Sequence, residues 1–152
     1  VATAHVFPQL IIGINAGNIT LGSGTTKVAL SNTPGPVTLA TPGIATATLF
    51  TDWTSNVAPE ITGTGYSAGG ATITGLSFAA GGTNDAVATW TTATNPNWTS
   101  ATFTANQAIL YQSSASTNQL ICFWDFGGPV PVIAGTFTLV IAANGLLTAI
   151  AS

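Results

Sequence analysis

The sequence predicts an all-β fold: a β-sandwich or jelly-roll-like domain of about eight strands, with a short N-terminal helix. Three observations carry that prediction. Short runs rich in Val, Ile, Thr and aromatic residues recur along the chain, at the roughly four to eight residues of a strand. Gly, Pro, Asn and Ser cluster between the runs, where turn chemistry needs them. The clearest apolar pattern has period two: Phe137, Leu139 and Ile141 fall on one face and are expected inward, with Thr136, Thr138 and Val140 on the other.

Taken in order, the N-terminal stretch 8–17 is the helical exception. Leu10, Ile11 and Ile14 recur at helical spacing, Pro8 suits a first turn and Gly17 suits a stop, against a rival reading as a buried strand around Gly13. Strands are expected over 27–31, 45–50, 71–78, 87–91, 101–105, 108–112, 119–126 and 136–142. Within 71–78 the apolar phase changes at Gly75, which predicts a bulge. Turns are expected at 32–36, 63–70, 81–85, 95–97 and 113–118, and Gly127–Gly128 before Pro129 is expected to end a strand and open a loop. The stretch 127–152 carries no charge, but Pro129, Pro131, Gly135, Asn144 and Gly145 break it, so no membrane-spanning helix is expected. No basic segment precedes an apolar one, so no signal peptide is expected either. With 152 residues and no composition shift, one domain over 1–152 is expected.

Charge is the unusual quantity. Only 3% of residues are charged, where a soluble domain carries about 25%. Lys27 is the one Lys or Arg, and the net charge is -3, so a phosphate-binding surface for nucleic acid is excluded. His5, Lys27, Asp52, Glu60, Tyr66, Asp85, Tyr111, Cys122 and Asp125 complete the titratable side chains. A triad of His5 with Asp52 or Asp125 lacks a G-x-S-x-G elbow, and no catalytic residue is expected. No metal and no cofactor is expected, because the acids are dispersed and no His-x-His or Cys-x-x-Cys pair exists. Cys122 shares a strand face with Trp124 and Phe126 and is expected as a buried free thiol. Trp53, Trp90, Trp98 and Trp124 are expected mainly in the core, Trp98 being the one best placed for exposure; an exposed set would instead suit sugar stacking.

Four segments in order carry a resemblance: TTKVALSNTP at 25–34, EITGTGYSAGGATITG at 60–75, ATWTTA with NWTSATFTANQAILYQSS ending at Ser114, and FWDFGGPVPVIAGTFTLVI at 123–141. The chain resembles small β-rich virion proteins of tailed bacteriophages, encoded among the head and tail structural genes. The GTGY-x-x-GG unit followed by an aromatic-Asp-Phe-Gly-Gly segment is its most specific element, and the chain departs from that group by carrying Thr, Ala, Ser and Asn where its members carry more charge. The resemblance implies a non-enzymatic virion structural protein: a capsid decoration or cement protein on the phage head, with a minor tail protein or sugar-binding adhesin component as the alternative. Its implied partners are the major capsid protein lattice and copies of itself, a trimer being favoured by analogy. A neutral surface of short polar groups offers little repulsion between copies, so self-association is expected from composition too. The uncharged apolar ends are the candidate interface, through Val6, Phe7, Leu10 and Ile11 at one end and Leu146 and Leu147 at the other, the alternative being that both ends pack within their own chain as edge strands or a helix.

Overall fold

A computed structural model describes residues 2–21, 23–32, 40, 44, 46–81, 87–91, 94–113, 117–141 and 147–150. These residues are mostly β, with two short helices. In chain order the elements are β1 (Thr3–Val6), α1 (Gln9–Asn15), β2 (Thr25–Ser31), α2 (Phe50–Asn56), β3 (Ala71–Ile73), β4 (Ser77–Gly81), β5 (Val87–Thr91), β6 (Asn97–Ser113), β7 (Asn118–Thr138) and β8 (Leu147–Ile150). A five-stranded antiparallel sheet runs β1-β7-β6-β2-β3, and a three-stranded one runs β4-β5-β8.

The long hairpin of β6 and β7 is the backbone of the molecule. Its strands span 17 and 21 residues, far beyond the usual five or six. The expected pairs 101–105 with 108–112, and 119–126 with 136–142, are each fused into one strand, the latter ending at Thr138. Bulges make the fusion possible. Ala105 pairs with Val130 and Gln107 with Asp125, so residues 126–129 of β7 stand opposite Asn106 alone. Gly127 turns there with φ +77°, and its N–H donates to Asp125 Oδ1 at 2.7 Å. The Gly-Gly-Pro segment therefore bends the strand instead of ending it. Pro129 and Pro131 are tolerated because β1 covers β7 only at 122–125, leaving the outer edge beyond it without a partner strand among the described residues.

A second bulge sorts side chains between two cores. Leu110 pairs with Cys122 and Tyr111 with Leu120, which leaves Ile121 extra. Ile121 and Cys122 consequently join the same core, with Val28, Leu30, Leu110, Phe103, Trp98 and Ile73, covered by Leu10, Ile19 and Trp90. On the opposite face Ala29, Ile109, Tyr111, Leu120 and Phe123 pack under Phe7, Ile44, Ala47 and the α2 residues Phe50 and Trp53. Trp124 and Phe126 pack against the Cys122 core, as their alternation requires, and Phe137 and Leu139 do the same.

Two further expectations are corrected. The described part of the expected strand 45–50, residues 46–50, does not form one: Leu49 makes one isolated bridge to Gln119 and α2 begins at Phe50. Asp52 drives that outcome, its Oδ2 accepting from Leu49 N at 2.8 Å, Thr48 N at 2.9 Å and Thr48 Oγ1 at 3.0 Å. At Gly75 (φ +67°) the run 71–78 breaks outright, sending β3 to one sheet and β4 to the other. Most of the turn 81–85 lies outside the described residues, and Gly81 itself closes β4. By contrast α1 forms where the helical spacing places it, with Pro8 at its N-cap and Gly17 at φ +73° behind it. No helix among the described residues is long and apolar enough to cross a membrane.

Candidate functional site

The two ends of the chain do not behave as one apolar surface. Phe7 is fully buried, with its ring edge-on to Trp53 at 5.9 Å and tilted on Phe123 at 5.4 Å, and its N–H bonds Ile121 O at 3.0 Å. Leu10 is buried beside it on the other face of the sheet. Both were expected at an interface and both instead close the chain's own core, because β1 pairs with β7 and swings the following residues onto the sheet. Val6 and Ile11 stay outside, 41% and 66% exposed, joined by Ile12 at 56% and Ile14 at 41%. Leu146 lies outside the described residues, and Leu147 is placed only as a β8 position opposite Trp90.

Glu60, Asp52, Asp125 and both tyrosines are engaged in holding backbone. Glu60 Oε1 accepts from the Tyr66 hydroxyl and from Gly69 N, both at 2.6 Å. The same hydroxyl accepts from Leu30 N at 2.9 Å, and Tyr111 donates its own to Gly69 O at 2.7 Å. This network fastens the Gly-rich loop 60–70 across β2 and β6. Burial, then the Glu60 carboxylate, pushes the Tyr66 phenol far up; the same causes push Tyr111 to about 12. An open polar groove of about 420 Å³ runs alongside, lined by Asn32, Pro59, Glu60, Ile61, Thr62 and Thr104. His5 stacks on Phe123 at 4.8 Å, Asp52 caps α2 and Asp125 holds the Gly127 bend, so these three serve separate structural tasks. Among the described residues no three His, Cys, Asp or Glu side chains gather to hold a metal.

Cys122 is a buried free thiol pushed up to about 12 by desolvation. Trp53, Trp90 and Trp98 are all buried, which corrects the placement of Trp98. It pairs with Phe137 across the hairpin and its ring lies 5.8 Å from that of Phe137 and 6.1 Å from that of Tyr66.

The arm formed by 97–105 of β6 and 130–138 of β7 carries features that the pattern of strands concealed. Two bulges follow one another on its opposite strands, Thr99 and Ser100 standing across from Thr136, and Ile133 and Ala134 across from Thr102. Ser100 and Ala134 take φ +50° and +47°, a region costly for residues with a Cβ. Ala134 N donates to Thr102 Oγ1 at 3.0 Å, and Thr102 N to Thr64 O at 3.0 Å, which steadies the distortion. The result lifts Ile133 into solvent at 82% exposure, with Val140 at 73%. Beside them lies an apolar groove of about 310 Å³, lined by Ala2, Phe126, Val130, Phe137, Leu139 and Val140. The available signal in the sequence was the uncharged Val130 to Ile133 run between Pro129 and Gly135, where strict alternation fails. No family model, no curated protein and no solved structure matches the chain.

Proposed function

We propose that the chain is a non-enzymatic structural protein of a phage particle, a decoration or cement protein of the head that binds the major capsid protein lattice. One observation carries the reading: Ile11, Ile12 and Ile14 of α1, with Val6, leave large apolar side chains in water on a chain with almost no charge. Each such side chain stabilises a complex by about 1.5–3 kcal/mol when fully buried. A protein that binds only the assembled shell stabilises that shell by mass action, and a neutral apolar face supplies the adhesion without chemistry. The quoted likeness to virion proteins points the same way, and so does the use of Asp52, Glu60 and Asp125 as backbone fasteners. The finer fold reading, a sandwich or jelly roll, rests on the division into two sheets and on Trp90 of β5 entering the core of the other sheet. The sugar-binding alternative needs clustered exposed Trp side chains, and three of them are committed to packing.

Imaging a labelled copy on intact particles tests the proposal. Label spread over the head in a lattice-related pattern is the expected result. Label at the tail alone, or none on particles, overturns it. An Ile11→Asp copy is expected to fold and to lose its place on the head.

A further inference from the structure

We propose that the groove at the end of β2 is a saccharide-binding site: Asn32, Glu60, Thr62 and Thr104 take the hydroxyl groups of a neutral sugar, and Pro59 meets its C–H face. This goes beyond the structural reading above and uses no residue of α1.

The groove exists because of the way the chain leaves the sheet. Among the described residues β2 pairs with β6 as far as Ser31 and Gln107, while β6 extends beyond that pair to Asn97. Residues 59–61 fasten the other edge of β2: Ile61 N donates to Leu30 O at 3.0 Å, Asn32 N to Pro59 O at 3.4 Å, and Ser31 bridges Glu60. The loop then crosses to β6, where Thr64 bridges Thr102. Its path past the end of β2 leaves the opening of about 420 Å³ between Asn32, Glu60, Thr62 and Thr104. That volume falls within the roughly 300–1,000 Å³ of small-molecule sites.

The walls are set before any ligand arrives. Glu60 Oε1 is held by the Tyr66 hydroxyl and by Gly69 N, so the carboxylate is fixed in place and Oε2 keeps its acceptor capacity. The side chains of Asn32, Thr62 and Thr104 are used by no hydrogen bond among the described residues. Three residues along β6 from Thr104, Gln107 is wholly buried and its Nε2 has no partner, so polar capacity is unmet at the end of this ladder too.

The chemistry of the lining selects the ligand. A carboxylate that accepts, an amide and two hydroxyls that both donate and accept match groups that do both, as sugar hydroxyls do. An anion would meet Glu60 with no cation in the lining. A calcium ion, which takes about six to eight oxygens and several charged ones, would find a single carboxylate. An extended peptide would find the main-chain donors of Asn32, Ile61 and Thr102 already used.

Saturation-transfer NMR of the full chain with D-glucose, D-galactose and N-acetyl-D-glucosamine tests this, with glycerol as the acyclic polyol. Transfer to the ring protons of at least one sugar is expected, with Kd on the order of 1–10 mM, and none to glycerol at the same concentration. Asn32→Ala and Thr104→Val each remove one hydrogen-bonding group from a side chain outside the core. Circular dichroism is expected to be unchanged in both, while affinity falls about tenfold in each. No transfer to any of the sugars, transfer that persists unchanged in both variants, or a glycerol response equal to that of the sugars overturns the proposal. Sugar binding by a chain that never labels particle heads leaves this site standing and removes the head reading. Head labelling without sugar binding removes the site alone.

Discussion

The Tyr66 hydroxyl holds two segments at once, accepting from Leu30 N in β2 and donating to Glu60 Oε1 in the loop. Tyr66→Phe takes one bond from each partner in a part-buried setting, a loss of about 0.5–1.5 kcal/mol per bond that denaturant unfolding will read. Because desolvation, reinforced by Glu60, raises both phenols, the folded state favours their protonated forms. That contribution is complete below the ordinary tyrosine value of about 10 and is lost as pH rises through the folded values, about 12 for Tyr111. With only two Tyr in the chain, the expected alkaline titration shows no tyrosinate near pH 10 and a joint rise on unfolding. Asp52 has the opposite sign. The backbone N–H groups of Thr48 and Leu49 lower its pKa, so its contribution holds above the normal carboxylate value and fades as pH falls through the lowered one. Asp52→Asn is expected to cost about 0.5–2 kcal/mol at neutral pH, as for a lost helix cap, and to flatten the acid limb of the stability profile.

At the level of elements, the glycine-rich loop makes the sharpest prediction. Gly70 has φ +70°, and a Cβ there would collide with the Val28 carbonyl oxygen, whereas Gly127 at φ +77° faces open space. Both Gly→Ala changes carry the conformational cost of about 1–3 kcal/mol, but only Gly70→Ala adds a clash with the backbone of a central strand. Thermal melting should therefore rank Gly70→Ala well below Gly127→Ala. That loop was legible in the sequence as a tight turn with Tyr66 over it, and β2, β5 and α1 were legible from composition and spacing. The long strands were not, because Gly-Gly-Pro at 127–129 has the chemistry of a turn, and only pairing with β6 reveals it as a bulge. Helix α2 was hidden for a different reason. The Thr-rich, apolar 45–50 run favours strand locally, and the deciding signal was an acid three residues after Leu49. Of the candidate interface, Val6 and Ile11 were readable as apolar residues near an end, but burial of Phe7 and Leu10 depended on β1 docking beside β7, a contact far apart in sequence.

Across the whole molecule, that docking changes what a truncation can reveal. Removing residues 1–7 takes Phe7 out of its cluster with Trp53 and Phe123 and strips β1 from the sheet. A loss of at least the roughly 3–5 kcal/mol of a core Phe deletion is expected, so the shortened chain should melt early or fail to fold. Point changes at exposed isoleucines separate attachment from folding where the truncation does not. Salt then distinguishes the kind of adhesion. Lys27 and Glu60 lie by the glycine-rich loop, Asp52 caps α2 and Asp125 sits in the bend before Gly127, while α1 and the tip of the arm carry no charge. Screening shortens the reach of exposed charges to about 10 Å at 0.1 M salt, but contacts made by isoleucine and valine have no Coulomb energy to lose. The fraction of protein retained on particles is expected to stay level as sodium chloride rises to about 1 M, and to hold or rise in sulfate, which strengthens apolar burial. Release by moderate sodium chloride would mean that the few charged groups carry the attachment. In that case Lys27, the single cation able to pair with an acidic lattice, would be the residue to change next, and α1 would lose its assigned role.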